Sequence, residues 1–176
     1  MGIILFSGVH GVGKGYFLKH RDISDQYTVV SASYLISKHK KPADAGYKKV
    51  KDVSKNQDVL TDELLKLKKD VNNIILDGHI CLRNKEGNME RISKNFSTES
   101  GIKGIILLQD DSKKISQRIF ERDSKIIDEE SIKKIQNEEI AYAKFLKKNL
   151  GIAYYIVSHL TTKMDLLEIL NQMENV

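Results

Sequence analysis

The chain has 176 residues, of which 40% are apolar and 30% charged, with one proline, one cysteine and 11 glycines. That length suits one ordinary domain with a substantial core, and the composition excludes collagen-like, low-complexity and disulfide-framed proteins. Net charge is +5, from 29 basic and 24 acidic side chains, which favours anionic partners without choosing among them.

Five short apolar runs recur along the chain: Ile3 to Phe6, Tyr27 to Val30, Ile74 to Leu76, Ile105 to Leu108 and Tyr154 to Val157. Several are continuous rather than alternating and rich in β-branched residues, as expected of strands buried on both faces of a parallel sheet. Helix-patterned stretches separate them, so the class is α/β. Leu60, Leu64, Leu67 and Val71 form one apolar stripe and predict a helix of about three turns. Ile132, Ile135, Glu139, Tyr142, Leu146 and Leu150 trace a longer helix with one polar interruption, closed by Gly151. Leu166, Leu167, Leu170 and Met173 predict a last helix, capped by Thr161 or Thr162.

The first run leads into Gly8-Val9-His10-Gly11-Val12-Gly13-Lys14-Gly15, followed by a helical pattern over 14 to 21. This is a strand, a glycine-rich loop, a lysine and a helix. Glycines let successive backbone N–H groups turn inward around phosphate oxygens, the helix N-terminus adds its dipole, and the lysine reaches the β/γ-phosphates. The loop residues Gly8, His10, Gly11, Val12, Gly13, Lys14, Gly15 and Tyr16 are therefore expected to hold ATP. The pattern calls for Ser or Thr after the lysine to hold Mg²⁺, and here Gly15 and Tyr16 follow. Magnesium is left to the nucleotide, water and a carboxylate elsewhere. Asp77, closing the third run, is that carboxylate, binding the metal through water. Cys81 reads as an unreactive buried thiol.

Only five arginines stand against 24 lysines. Arg118 and Arg122 share a helix face at i and i+4, where guanidinium groups can stack on a purine and fork onto phosphate oxygens. A basic stretch over 38 to 55 offers a surface for nucleic acid, with few interleaved aromatic residues to stack bases.

These features together resemble the nucleoside monophosphate kinases, adenylate kinases in particular. Gly11 to Gly15 looks like that group's Gly-x-Gly-Lys-Gly, Leu76-Asp77-Gly78 like its Leu-Asp-Gly, and Arg118 to Arg122 like the Arg-x-x-x-Arg that begins its lid. Asp77-Gly78-His79 through Lys85-Glu86-Gly87, with Ile140-Ala141-Tyr142-Ala143, is most similar to the archaeal type. The resemblance implies a three-layer α/β/α P-loop NTPase fold with a five-stranded parallel sheet of order 2-3-1-4-5. It implies one kinase-like domain over 1 to 176, with an acceptor-binding insertion at about 31 to 57 and a short lid at about 118 to 128. It further implies Mg-ATP as donor, AMP or another nucleoside monophosphate as acceptor, Lys14, Asp77, Arg118 and Arg122 as catalytic groups, Arg118 against the adenine, and Ser31, Ser33, Arg83 and His79 on the acceptor side. Lysines over 38 to 51 would assist there. Two other readings stay open: a related ATPase, and an ATP-dependent switch or binding module that contacts nucleic acid. With no membrane span of roughly 18 apolar residues and no secretory pattern over residues 1 to 20, the expected location is cytoplasmic. Oligomeric state is unspecified.

Overall fold

The computed structural model describes residues 2–39, 53–83 and 88–174. The basic positions between 40 and 52, the Lys85-Glu86-Gly87 stretch and the side chain of Arg83 lie outside the described part. Strands β1 (Gly2–Ser7), β2 (Thr28–Ser31), β3 (Asn73–Asp77), β6 (Ile102–Leu108) and β7 (Ala153–Val157) form a parallel sheet in the order β2-β3-β1-β6-β7. Counting only these five strands, that is the expected 2-3-1-4-5. Two further strands, β4 (Cys81–Arg83) and β5 (Met89–Arg91), pair antiparallel as a separate hairpin. Each is three residues long, too short to register as a run of its own.

Alternation along each strand sorts the core into two layers. Ile3, Leu5, Ile74, Leu76, Ile105 and Leu107 face one side, where they meet Leu60 and Leu64 of α3 (Val53–Leu67), Phe96 of α4 (Lys94–Glu99) and Ala143 and Leu146 of α6 (Glu129–Leu150). Ile4, Phe6, Ile75, Ile106 and Leu108 face the other, against Phe17 and Leu18 of α1 (Lys14–Arg21), Ile115 and Ile119 of α5 (Ser112–Asp123), and Leu166, Leu170 and Met173 of α7 (Lys163–Glu174). Both faces of the central strands are thus covered, which is why their sequence is continuously apolar. Helix α2 (Ala32–Ser37) follows β2 directly, capped by the Ser31 hydroxyl.

Two expected helix ends need adjustment. The Leu60 stripe belongs to a helix that starts at Val53 and stops at Leu67. Val71 lies in the turn beyond, its N–H still bonded to the Leu67 carbonyl at 3.1 Å, so it continues the stripe without continuing the helix. Of the two candidate caps, Thr162 is the one used: its hydroxyl accepts the Asp165 N–H at 3.2 Å while Asp165 bonds back to Thr162, a reciprocal arrangement that satisfies donors at the helix start. Among the described residues, no helix is long and apolar enough to cross a membrane.

Candidate active site

The glycine loop leaves the C-terminal end of β1 at the centre of the sheet, where parallel α/β folds open their ligand crevices. Gly11 and Gly13 take φ values of 85° and 96°, a region costly for residues with a Cβ. At Gly11 a Cβ would also lie 2.4 Å from Ile119 Cγ1, so the glycine lets α5 approach the loop. Gly13 caps α1 through backbone alone, with no side-chain cap bond, which leaves amide donors of the first turn aimed outward.

Lys14 begins α1, and its side chain is only 9% exposed. The Nζ donates to the Gly8 carbonyl at 3.2 Å and to His79 Nε2 at 3.2 Å, with Asp77 Oδ1 at 3.8 Å. Burial pulls the lysine below its ordinary pKa, against the pull of Asp77 and Glu139. Burial and the neighbouring ammonium drive His79 down to about 3, so the neutral ring accepts a hydrogen bond from Lys14 at Nε2. Burial raises the Asp77 carboxyl, with Lys14 opposing.

A cavity of about 410 Å³ opens over this group, lined by Val9, His10, Gly11, Gly13, Lys14, Gly15, Tyr16, Asp77, Arg118 and Arg122. Most of the expected catalytic and nucleotide-binding residues are brought together there. Gly8 lies beneath and reaches the group through its carbonyl on Lys14, while Val12 is fully buried and presents its carbonyl to Arg118 Nη1 at 3.2 Å. A second cavity of about 610 Å³ shares Gly13, Tyr16 and Arg118 with the first and adds Phe17, His20, Arg21 and His159. A third, about 390 Å³, lies between α1 and β2 and shares Gly15 and Asp77 with the first. Ser31 lines it, and Ser33 bonds the Ser31 hydroxyl at 2.9 Å. His79, expected with these serines, instead sits against Lys14 and lines none of the three.

Each arginine arrives with a carboxylate. Arg118 Nη2 bonds Asp110 at 2.5 Å; burial opposes ionisation of Asp110, yet Arg118 and the Asp111 N–H outweigh it and hold the carboxyl below its usual range. Arg122 bonds Asp123 at 2.8 Å and lies against His10. His159 Nε2 shares the Val12 carbonyl at 2.7 Å, and Arg21 clamps the backbone that carries it by donating to the His159 and Thr161 carbonyls at 2.7 and 2.6 Å. Asp110, His159 and Arg21 were not singled out from sequence: His159 reaches the loop, and Arg21 the His159 segment, only across the fold, and Asp110 acts through Arg118. Glu139 was visible as the polar break in the α6 stripe. It accepts the Ser7 hydroxyl at 2.9 Å, and burial raises it to about 7.

Among the described residues no three metal-ligating side chains cluster. Magnesium in nucleotide sites keeps waters and phosphate oxygens and needs only one or two carboxylates. Asp77, a quarter exposed at the cavity wall beside Lys14, fits that requirement.

A family model described as an AAA domain matches residues 7–136. Compared with curated proteins, the sequence has no match. Among solved structures, a deoxyadenosine kinase from M. mycoides with products dCMP and dCDP is similar at TM-score 0.55 and 18% identity, covering 99% of this chain and 100% of that one. A gluconokinase from Sinorhizobium meliloti 1021 is similar at TM-score 0.53 and 11% identity, covering 99% and 94%. A sugar kinase from Janibacter sp. HTCC2649 has TM-score 0.55 and 11% identity, covering 100% and 95%. At such identities the likeness concerns the fold.

Proposed function

Given that the chain belongs to the AAA domain family, a P-loop kinase family, we propose that it transfers the γ-phosphoryl group of Mg-ATP to a small acceptor, a nucleoside monophosphate and AMP first. The observation that carries this reading is the buried Lys14 ammonium at the floor of the glycine-loop cavity, with Arg118 and Arg122 on its rim. Phosphoryl transfer asks a protein mainly to align two anions, exclude water and offset charge on the equatorial oxygens. Loop amides and Lys14 grip the β/γ-phosphates. Arg118, held by Asp110, lies between the first two cavities and faces the base. Arg122 meets the transferring group. Asp77, together with the nucleotide, would hold magnesium, which would supply positive charge against the phosphates. A phosphate acceptor is already a nucleophile, so no general base is needed.

A second reading has an observation of its own. Asp77 lies on the wall shared by the first and third cavities, where a carboxylate suits a hydroxyl acceptor that must lose a proton. The solved relatives named above include sugar and nucleoside kinases, a likeness of fold that agrees with either acceptor.

The test is a chromatographic assay with Mg-ATP against AMP, CMP, GMP, UMP, dTMP, deoxynucleosides and gluconate, with an acceptor-free control and Lys14→Ala alongside. Transfer to AMP that disappears in the variant upholds the first reading. Phosphorylation of a nucleoside or sugar acid alone replaces the monophosphate with a hydroxyl acceptor. ADP release without any acceptor makes the chain an ATPase, and binding without turnover makes it a switch. A salt-dependent gel shift reports on nucleic acid.

A further inference from the structure

The glycine loop runs into Gly15 and Tyr16 where its pattern calls for a hydroxyl side chain. The Tyr16 ring lies along α1 and stacks on His20, one helical turn on, with ring centroids 3.8 Å apart and planes inclined by 27°. The His20 Nδ1–H donates to the Tyr16 carbonyl at 2.9 Å, so the backing ring is itself held. Tyr16 nevertheless stays 64% exposed. It lines both the cavity over Lys14 and the cavity of about 610 Å³ beside it, which His20 lines as well. A ring already fixed by a stack loses little further freedom when a second flat ring is laid on it.

The rest of the second cavity offers little that reads the edge of a base. Among the described residues, no carboxylate or carboxamide lines it, the groups that pair with the amino edges of cytosine and adenine. Its two guanidiniums, which suit guanine, are committed: Arg118 to Asp110 and the Val12 carbonyl, Arg21 to the His159 and Thr161 carbonyls. Arg21 thereby occupies acceptors of the 158 to 162 loop, and the amides of Ser158, Leu160, Thr161 and Thr162 are bonded within that loop or to Asp165. Of the other rings, Phe17 is buried beneath the Arg21 guanidinium, 4.9 Å from its centroid, and His159 meets Phe17 edge-on. Tyr16 is left as an open aromatic face with no donor and acceptor code around it.

We propose that Tyr16, backed by His20, is a stacking platform for the base of the phosphoryl donor, and that the site accepts any ribonucleoside triphosphate because it holds the base by its face and not by its edge. The inference rests on the nucleotide-binding reading of the glycine loop and widens the donor from ATP to its class. Every nucleobase has a π-face, so stacking on an aromatic ring is tolerant of base identity. The triphosphate occupies the first cavity, and Tyr16 stands on the boundary with the second, where the nucleoside continues from the phosphates. Purines, with more ring to lay on the platform, bind best by a modest margin.

The experiment is titration calorimetry of the full chain with the magnesium salts of ATP, GTP, CTP and UTP, and with inorganic triphosphate, which carries the phosphates and no base. We expect wild type to bind the four nucleotides within about tenfold of one another, and Tyr16→Ala to weaken all four about tenfold while inorganic triphosphate binds as before. Tyr16→Phe keeps the ring and should stay within about twofold of wild type. His20→Ala removes the backing ring and should weaken the four about threefold, and it stands in should Tyr16→Ala fail to fold. A preference for ATP of more than about tenfold overturns the proposal, since it requires edge reading. An equal loss of inorganic triphosphate in Tyr16→Ala does the same and makes the tyrosine part of the phosphate grip, as do nucleotide affinities that neither alanine variant changes. A wild-type chain that binds all four nucleotides but transfers to no acceptor refutes the phosphotransferase reading and upholds the platform. Transfer from ATP alone does the reverse, and a chain that binds none of the four overturns both.

Discussion

On the side read as the donor site, the phosphate contacts come from one unbroken stretch, Gly8 to Lys14, and much of their chemistry is backbone. On the side read as the acceptor site, Ser31, Ser33 and Asp77 come from the ends of β2, α2 and β3, and the third cavity adds exposed residues such as Lys19, Asp22 and Ser24. The donor side is pinned at several points: Lys14 by three partners, Arg118 by Asp110 and the Val12 carbonyl, the 159–161 loop by Arg21. Among the described residues, the acceptor side is held by the Ser31–Ser33 pair, the cap on α2 and the Ser24 bond to Asp22 at 2.7 Å, with Asp77 beside Lys14. A site proposed to hold the same triphosphate at every turnover suits such rigidity. Specificity for the other substrate is left to side chains that can change without disturbing the sheet.

The largest effect expected from breaking this contrast is Lys14→Ala, which should lower turnover by about two to three orders of magnitude, the range for removing one preorganised transition-state contact. Circular dichroism and thermal unfolding should change little, because the side chain lies at the cavity floor rather than in either apolar cluster. Gly11→Ala should come next. Forcing a Cβ into φ 85° and against Ile119 costs roughly 1 to 3 kcal/mol, visible as a lower denaturant midpoint accompanied by weakened ATP binding; unchanged unfolding would mean that loop and α5 are not packed as described.

Glu139 sharpens the contrast through pH. Its carboxyl is raised from an ordinary 4.5 to about 7, so between those values the native state keeps a proton that the unfolded chain has released. Stability from this group is therefore full below about pH 4.5 and declines as pH rises to about 7, by up to about 3 kcal/mol. Urea midpoints at pH 5 and 8 should show that decline in wild type and a flatter profile in Glu139→Gln. The smallest effect belongs to the acceptor side: Ser33→Ala should raise acceptor KM about threefold, the loss of one exposed hydrogen bond, with kcat and unfolding unchanged. An effect there as large as that of Lys14 would erase the contrast.

The same contrast explains how much could be read without coordinates. Gly11, Gly13 and Lys14 are adjacent in sequence, and strand, loop and helix follow one another, so local pattern suffices for the loop and for the order of the sheet. Asp77 was legible because it closes an apolar run, and Arg118 and Arg122 because a helical step of four relates them. His159 meets the loop from 147 positions away, Arg21 braces the His159 segment from 138 positions away, and Asp110 meets Arg118 from just ahead of α5, relations that helical or strand spacing does not encode. His79 could be placed near a strand end from sequence, but only the fold turns its ring toward Lys14 instead of the third cavity. The β4–β5 hairpin was missed because strands of three residues carry no period.

Three buried polar side chains of α6, Gln136, Glu139 and Tyr142, also act as a vernier. Its 22 residues extend about 33 Å, and along it the Gln136 amide bonds the Asp110 backbone, Glu139 accepts from Ser7, and the Tyr142 hydroxyl donates to the Ile92 carbonyl. Sliding the helix by one residue would turn its side chains by about 100° and disengage all three together. Length changes are therefore tolerable ahead of the Asp128 cap, in the connection between α5 and α6, and intolerable between 136 and 142. Variation in this chain's relatives should be confined to the first segment, so that the connection can be exchanged or lengthened while the helix behind it keeps its place on the sheet.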